Sequence, residues 1–233
     1  KPNGAESWLK GSNQQINWTP AGTYPGNVLI QYSNNSGTTW KGNYNAPAGT
    51  DNVAQTYNWT NLPDDISENC TVKISTQTGN SSIDVSDTSN ATFKIKGQVD
   101  LTLPVGNETW YVNQTKLVTW DSIGTVNPVS IQYSINNGSS WIDINTSYPG
   151  VDGSNNYSWT IPDRKNETCK VRVMDARSAF SSEVVSASGV FRIRPQINVT
   201  QPTAGQVVFA GSTDTSINWT YTGTKINYVS IDY

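Results

Sequence analysis

The sequence predicts an all-β chain built from tandem antiparallel β-sandwiches, and three observations carry that reading. Short runs alternate apolar and polar residues with period two, as in VLIQYS (28–33), VSIQYS (129–134), CTVKIS (70–75), CKVRVM (169–174) and INVT (197–200), each bounded by Gly, Pro, Asn or Ser. No window of a dozen residues holds the 3.6-residue period of a helix. The chain also repeats itself about every 100 residues.

The repeat orders the elements. Pro2 lines up with Pro104 and Pro202, and Trp8 with Trp110. Trp18 matches Trp120 and Trp219, Tyr32 matches Tyr133 and Tyr233, and Trp40 matches Trp141. YNWT at 57–60 returns as YSWT at 157–160, followed by Pro63 and Pro162, and FKI at 93–95 returns as FRI at 191–193. All nine tryptophans fall on this register. The units run 1–96, 97–195 and 196–233. Seven or so short strands per unit, separated by turn residues, describe an Ig-like or fibronectin-like sandwich. The joints, IKGQVDLTLP at 95–104 and IRPQINVTQP at 193–202, hold few residues that are not strand-like. Successive sandwiches are therefore expected to form a stiff rod. Lys1-Pro2 falls at the terminal proline of the strand that opens each later unit, and the third unit reaches only Tyr233. The expectation is a fragment of a longer tandem array, or units completed by strands of a neighbouring molecule.

Composition narrows the function. Charged residues are 14% of the 233 positions, where about 25% is usual. A net charge of -3 without a Lys/Arg run gives no electrostatic footprint for nucleic acid or an anionic membrane. No apolar run approaches the roughly 20 residues of a membrane span. Histidine is absent, which removes the commonest general base and the commonest metal ligand together.

The order Trp, I-x-W, V-x-I-x-Y-S, N-x-G-x-x-W, Y-x-W-T-x-P, C-x-V-x-V, S-x-x-x-F-x-I resembles the Ig-like repeat of large microbial cell-surface proteins, a group related to the Ser/Thr-rich Kre9-type cell-wall domain. The resemblance covers the first two units nearly whole. It implies extracellular, tandem, usually non-catalytic modules of adhesins, surface layers or secreted multidomain proteins.

One motif invites an enzymatic reading. S-x-N-x-G-x-x-W (Ser33, Asn35, Gly37, Trp40; Ser134, Asn136, Gly138, Trp141) resembles the Asp-box of sialidase propellers, with Asn in place of Asp. A propeller needs one box per blade of about 45 residues, and here there is one per unit of about twice that length. The motif is expected to staple a hairpin, with Asx bonding backbone N–H groups and Gly taking positive φ.

Cys70 and Cys169 each stand alone in their unit, so a buried unpaired thiol is expected. The carboxylates Asp64, Asp65 and Glu68, with Asp84 and Asp87, correspond to Asp163, Glu167 and Glu183 in the second unit without forming a shared pair. They are expected to be solvated loop residues, with a calcium ion near a joint as the alternative; no cofactor is expected. Trp18 and Trp59 alternate in phase with Ile16 and Tyr57 and should face inward. Trp8, Trp110, Trp40 and Trp141 lie near turns, and their exposure would favour a carbohydrate surface over a core.

The strongest functional signal is the N-x-S/T sequon. Fourteen occur, at Asn17, Asn34, Asn58, Asn69, Asn80, Asn90, Asn107, Asn113, Asn137, Asn145, Asn156, Asn166, Asn198 and Asn218, more than twice the number that chance placement gives. Asn17, Asn58, Asn198 and Asn218 sit mid-strand between apolar neighbours and should point to solvent. These features predict an exported, N-glycosylated structural protein whose partners are copies of itself, with an adhesin stalk or a carbohydrate-binding module for polysaccharide as the alternative. Glycans would then supply the solubility and edge protection that scarce charges do not.

Overall fold

In the computed structural model the described residues are 1–78, 84–213, 216–224 and 226–232. All regular structure among them is β. The strands are β1 (Ser7–Leu9), β2 (Gln14–Trp18), β3 (Asn27–Ser33), β4 (Lys41–Pro47), β5 (Gln55–Trp59), β6 (Ser67–Thr76), β7 (Ser86–Thr88), β8 (Phe93–Lys96) and β9 (Gln98–Leu103). They continue with β10 (Thr109–Tyr111), β11 (Thr115–Ile123), β12 (Val129–Ser134), β13 (Ile142–Tyr148), β14 (Gly153–Thr160), β15 (Asn166–Asp175), β16 (Val185–Ala187), β17 (Phe191–Arg194), β18 (Gln196–Gln201) and β19 (Asn218–Thr222).

The same layout appears twice. One sheet runs β1-β8-β6-β3-β4 with β7 on β6, and its counterpart runs β10-β17-β15-β12-β13 with β16 on β15. In each, the short first strand is parallel to its neighbour and the other pairings are antiparallel. The facing layers differ: among the described strands β2 pairs with β5, whereas β11 lies between β14 and β9. β18 and β19 form a separate two-stranded sheet.

Alternation places the cores. In β3 the side chains of Val28, Ile30 and Tyr32 are buried, and in β12 those of Val129, Ile131 and Tyr133. One cluster gathers Trp8, Ile16, Trp59, Cys70 and Phe93; the other gathers Trp110, Val118, Trp159, Cys169 and Phe191. Two of the ring contacts repeat closely. Trp8 meets Phe93 at 4.6 Å and Trp110 meets Phe191 at 4.8 Å; Tyr32 meets Trp59 at 4.9 Å and Tyr133 meets Trp159 at 5.1 Å. Such pairs add about 0.5–1.5 kcal/mol each beyond their burial. The aromatic pattern of the repeat is thus the pattern of its core.

Candidate functional site

The hairpins come first, because their motif raised the enzymatic question. Ser33 Oγ donates to Asn35 Oδ1 (2.7 Å) and accepts from Gly37 N–H (2.9 Å), while Asn35 Oδ1 accepts from Thr39 N–H (2.9 Å). In the second copy Ser134 Oγ donates to Asn136 Oδ1 (2.8 Å) and accepts from Gly138 N–H (2.8 Å), and Ser140 N–H donates to Asn136 Oδ1 (2.9 Å). Gly37 and Gly138 have φ of +83° and +90°, the left-handed region where a Cβ is strained. Trp40 and Trp141 are half-buried, with Lys73 Nζ and Arg172 Cζ each 4.3 Å from their ring centroids. The serine hydroxyl and the asparagine side chain of each motif are thus engaged within their own turn.

Trp8 and Trp110, whose exposure would have favoured sugar stacking, are each only 7% exposed. Trp59, Trp120 and Trp159 are buried, while Trp18 is half-buried and its Nε1–H donates to the Ala48 carbonyl (3.1 Å). Cys70 and Cys169 are free and buried. Burial pushes both thiols up to about 11, so neither is a thiolate near neutral pH.

Of the carboxylates expected in solvated loops, Asp65 is the one most tied into the structure. Asp65 accepts from Tyr32 Oη (2.6 Å), Asn34 Nδ2 (3.0 Å) and Lys41 Nζ (2.6 Å). Asp84 accepts from Thr78 N–H (2.8 Å), and Glu167 pairs with Arg192 and Arg194. Glu68 and Asp87 are exposed. Among the described residues no group of three or more Cys, Asp or Glu is placed to hold a metal ion.

The remaining carboxylates build the joints. Asp64 accepts from Thr125 N–H (2.9 Å) and from Thr125 Oγ1–H (2.6 Å). One repeat later, Asp163 accepts from Thr224 N–H (2.8 Å). In each case the aspartate follows the proline after the Y-x-W-T strand, and the threonine follows a left-handed glycine, Gly124 at φ +83° or Gly223 at +100°. A Cβ on Gly124 would stand 2.9 Å from Asp64 Oδ1 and 3.0 Å from Ile66 Cδ1, and one on Gly223 would stand 3.0 Å from Pro195 Cβ. Glycine is needed because the preceding repeat comes this close. Around the first joint, Glu183 accepts from Ser7 Oγ (2.7 Å), Lys94 Nζ (3.1 Å) and Lys96 Nζ (2.9 Å), and Asp152 accepts from Lys10 Nζ (2.8 Å). These donors hold Glu183 down to about 2 and lower Asp152 as well. Sequence reasoning missed this arrangement, although its signal, Pro-Asp in one unit and Gly-Thr in the next, was present.

Of the sequon asparagines, Asn58, Asn69, Asn90, Asn107, Asn113, Asn137, Asn156, Asn198 and Asn218 are exposed, and Asn34, Asn145 and Asn166 are half-buried. Asn80 lies outside the described residues. Asn17, next in β2 to the buried Ile16, is less exposed than most of the other sequon asparagines. It is half-buried with Oδ1 enclosed and without a hydrogen-bond partner, because Lys1 pairs alongside it through Asn17 N–H to the Lys1 carbonyl (2.9 Å).

No family model matches the sequence, and no curated protein is similar to it. Among solved structures the chain is similar to the titin fragment Titin-A168169, at 13% identity over 81% of this chain and 94% of that one, with a TM-score of 0.39. It is also similar to fibronectin(III)-like modules of Clostridium thermocellum CbhA, at 15% identity over 82% and 92%, TM-score 0.28. A third is the N-terminal four-Ig-domain segment of Dscam1 isoform 8.4, at 13% identity over 81% and 42%, TM-score 0.34. These likenesses are all below a TM-score of 0.5; by its own strand order this chain is an all-β protein of largely antiparallel sheets.

Proposed function

We propose that the chain is a non-catalytic, N-glycosylated extracellular structural protein, a stiff array of Ig-like repeats with units at 1–96, 97–195 and 196–233, that self-associates into a surface layer, sheath or filament. One observation carries the reading: the same carboxylate-to-loop contact recurs at both joints, Asp64 to Thr125 and Asp163 to Thr224. A joint repeated with the same residues sets the same relation between successive units, which is what an array needs to propagate a regular shape. The exposed sequons and the low charge content support glycan cover, and the resemblance to microbial surface repeats supports the cell surface. Electron microscopy of native material, with glycopeptide mass spectrometry of the same sample, tests the proposal. A regular assembly with occupied Asn sites is expected; dispersed, unmodified particles would remove it.

The alternative, an adhesin stalk or carbohydrate-binding module, draws on the half-buried faces of Trp40 and Trp141. Their faces are already covered by Lys73 and Arg172, so a glycan-binding screen is expected to be negative.

A further inference from the structure

Each of the first two repeats has one long open side. It is made by two consecutive edge strands, one in each layer: β4 and β5 in the first repeat, β13 and β14 in the second. Among the described strands each of these four is paired on one flank. Alternate N–H and C=O groups of the other flank are left to solvent, where they offer a row of partners to any further strand.

The four edges are not defended alike. β4 opens with Lys41 and closes with Pro47, two residues that blunt an edge by charge and by a missing donor. β5 (QTYNW) and β14 (GSNNYSWT) hold no charge and no proline. β13 holds one charge, Asp143, which is taken up by Gln132 Nε2 (2.6 Å). These three edges each carry a sequon within the strand, Asn58 in β5, Asn145 in β13 and Asn156 in β14, and β4 carries none. The strands paired on both flanks differ: β3, β8, β11, β12 and β17 hold no sequon. β6 and β15 carry theirs, Asn69 and Asn166, ahead of the span that pairs with β3 and β12.

The atom that bears an N-linked glycan is Nδ2. Asn58 and Asn145 engage only their Oδ1, which accepts from Gln15 Nε2 (3.4 Å) and from Ser147 N–H (2.9 Å). Among the described residues Nδ2 of Asn58, Asn145 and Asn156 donates no hydrogen bond. Asn34 shows the contrast, its Nδ2 being held by Asp65 (3.0 Å).

We propose that Asn58, Asn145 and Asn156 are edge-guarding glycosylation sites, whose N-linked glycans cover the open sides of the two sandwiches and bar strand addition there; this rests on the N-glycosylation proposed above. An added strand would run about 4.8 Å from the edge backbone, within the sweep of the first sugars on an edge-strand side chain. Asn is a poor strand residue, and its place in β5, β13 and β14 follows from the glycan it bears. Regular contacts between copies are thereby confined to other surfaces.

The full chain, made in a cell that attaches N-glycans, tests this. Thr60→Ala, Ser147→Ala and Ser158→Ala together remove the three sequons and keep the asparagines; none of these hydroxyls makes a hydrogen bond among the described residues. Glycopeptide mass spectrometry is expected to find all three sites occupied in the wild type. In the triple variant, sedimentation velocity is expected to show added association, with amide exchange in β5, β13 and β14 slowed at least about tenfold as edges pair. Thr60→Ser, Ser147→Thr and Ser158→Thr keep the sequons and are expected to behave as wild type. Thr92→Ala, Thr109→Ala and Ser139→Ala remove as many sequons, those of Asn90, Asn107 and Asn137, and are expected to leave the edge amides unchanged. Equal association in the two triple variants, or none in the first, would overturn edge guarding. Bare Asn58, Asn145 and Asn156 beside occupied sequons elsewhere would overturn it and leave glycosylation standing. A chain with no occupied sequon would overturn both.

Discussion

The first and second repeats share two core ring contacts to within a few tenths of an ångström, yet differ in how far other side chains are covered. Val184 is 1% exposed and its counterpart Val85 is 67% exposed. Val173 is buried where Ile74 is half-buried, and Trp120 is buried where Trp18 is not fully so. The residues are apolar in both repeats, so the difference is not one of side-chain choice. Beside Trp120 the second repeat has β9 paired on β11, and around Val184 it has the loop that buries Phe180. At about 25 cal/mol per Å² of apolar area, such coverage can thus decide how much the same residue contributes.

The comparison is broken or sharpened by four measurements, the largest expected first. Trp120→Ala should cost about 3–5 kcal/mol in urea unfolding followed on the second repeat, as truncation of a buried aromatic does. Trp18→Ala in the first repeat should cost less than half as much, because its ring is already partly hydrated. Equal losses would show that β9 contributes little to the burial of Trp120.

The hairpins make the opposite case, since both repeats build them alike. Gly37→Ala and Gly138→Ala should each cost about 1 kcal/mol through the positive φ, with the two values agreeing. A clear inequality would mean that the neighbouring sheet, not the turn, sets the strain.

Asp64→Asn should act on the joint and leave both cores intact. The bonds to Thr125 lose their charge assistance, so exchange of the Thr125 amide should accelerate roughly three- to tenfold while the core amides of β12 and β15 stay protected. Uniform acceleration would place Asp64 in the global stability of the chain instead.

The smallest effect is in pH. Glu183 is held down to about 2 by the hydrogen bonds from Ser7, Lys96 and Lys94. A carboxylate lowered on folding contributes stability that is complete above its ordinary 4.5 and lost as pH falls toward about 2. The first joint should therefore loosen across that window, by less than about 1 kcal/mol because Glu183 is largely solvated. Glu183→Gln should remove that part of the dependence, read from the distance between labels placed in the two repeats.

Much of the fold was legible in the sequence because its information is local. Alternation in VLIQYS and VSIQYS puts Ile30 and Ile131 inside whatever the rest of the chain does, since a strand turns successive side chains to opposite faces. The serine, asparagine and glycine of each hairpin act within a few residues of one another, so their spacing alone specifies the turn. The repeat, the inward Trp59 and Trp159 and the buried solitary cysteines follow from the same local rules.

Only the tertiary structure decided which carboxylates matter and how far each apolar side chain is covered. Asp64 and Thr125 are 61 residues apart, and although Pro-Asp and Gly-Thr recur in the sequence, only the fold shows that they meet. Asn17 reads as outward from its apolar neighbours, and only the fold shows its oxygen enclosed, with Lys1 paired beside it. Val85 and Val184 read alike and end at opposite extremes of exposure, because burial belongs to what covers a residue and not to the residue itself. Period and turn chemistry are written within a few bonds, whereas coverage and joint contacts depend on which distant strands the fold brings alongside.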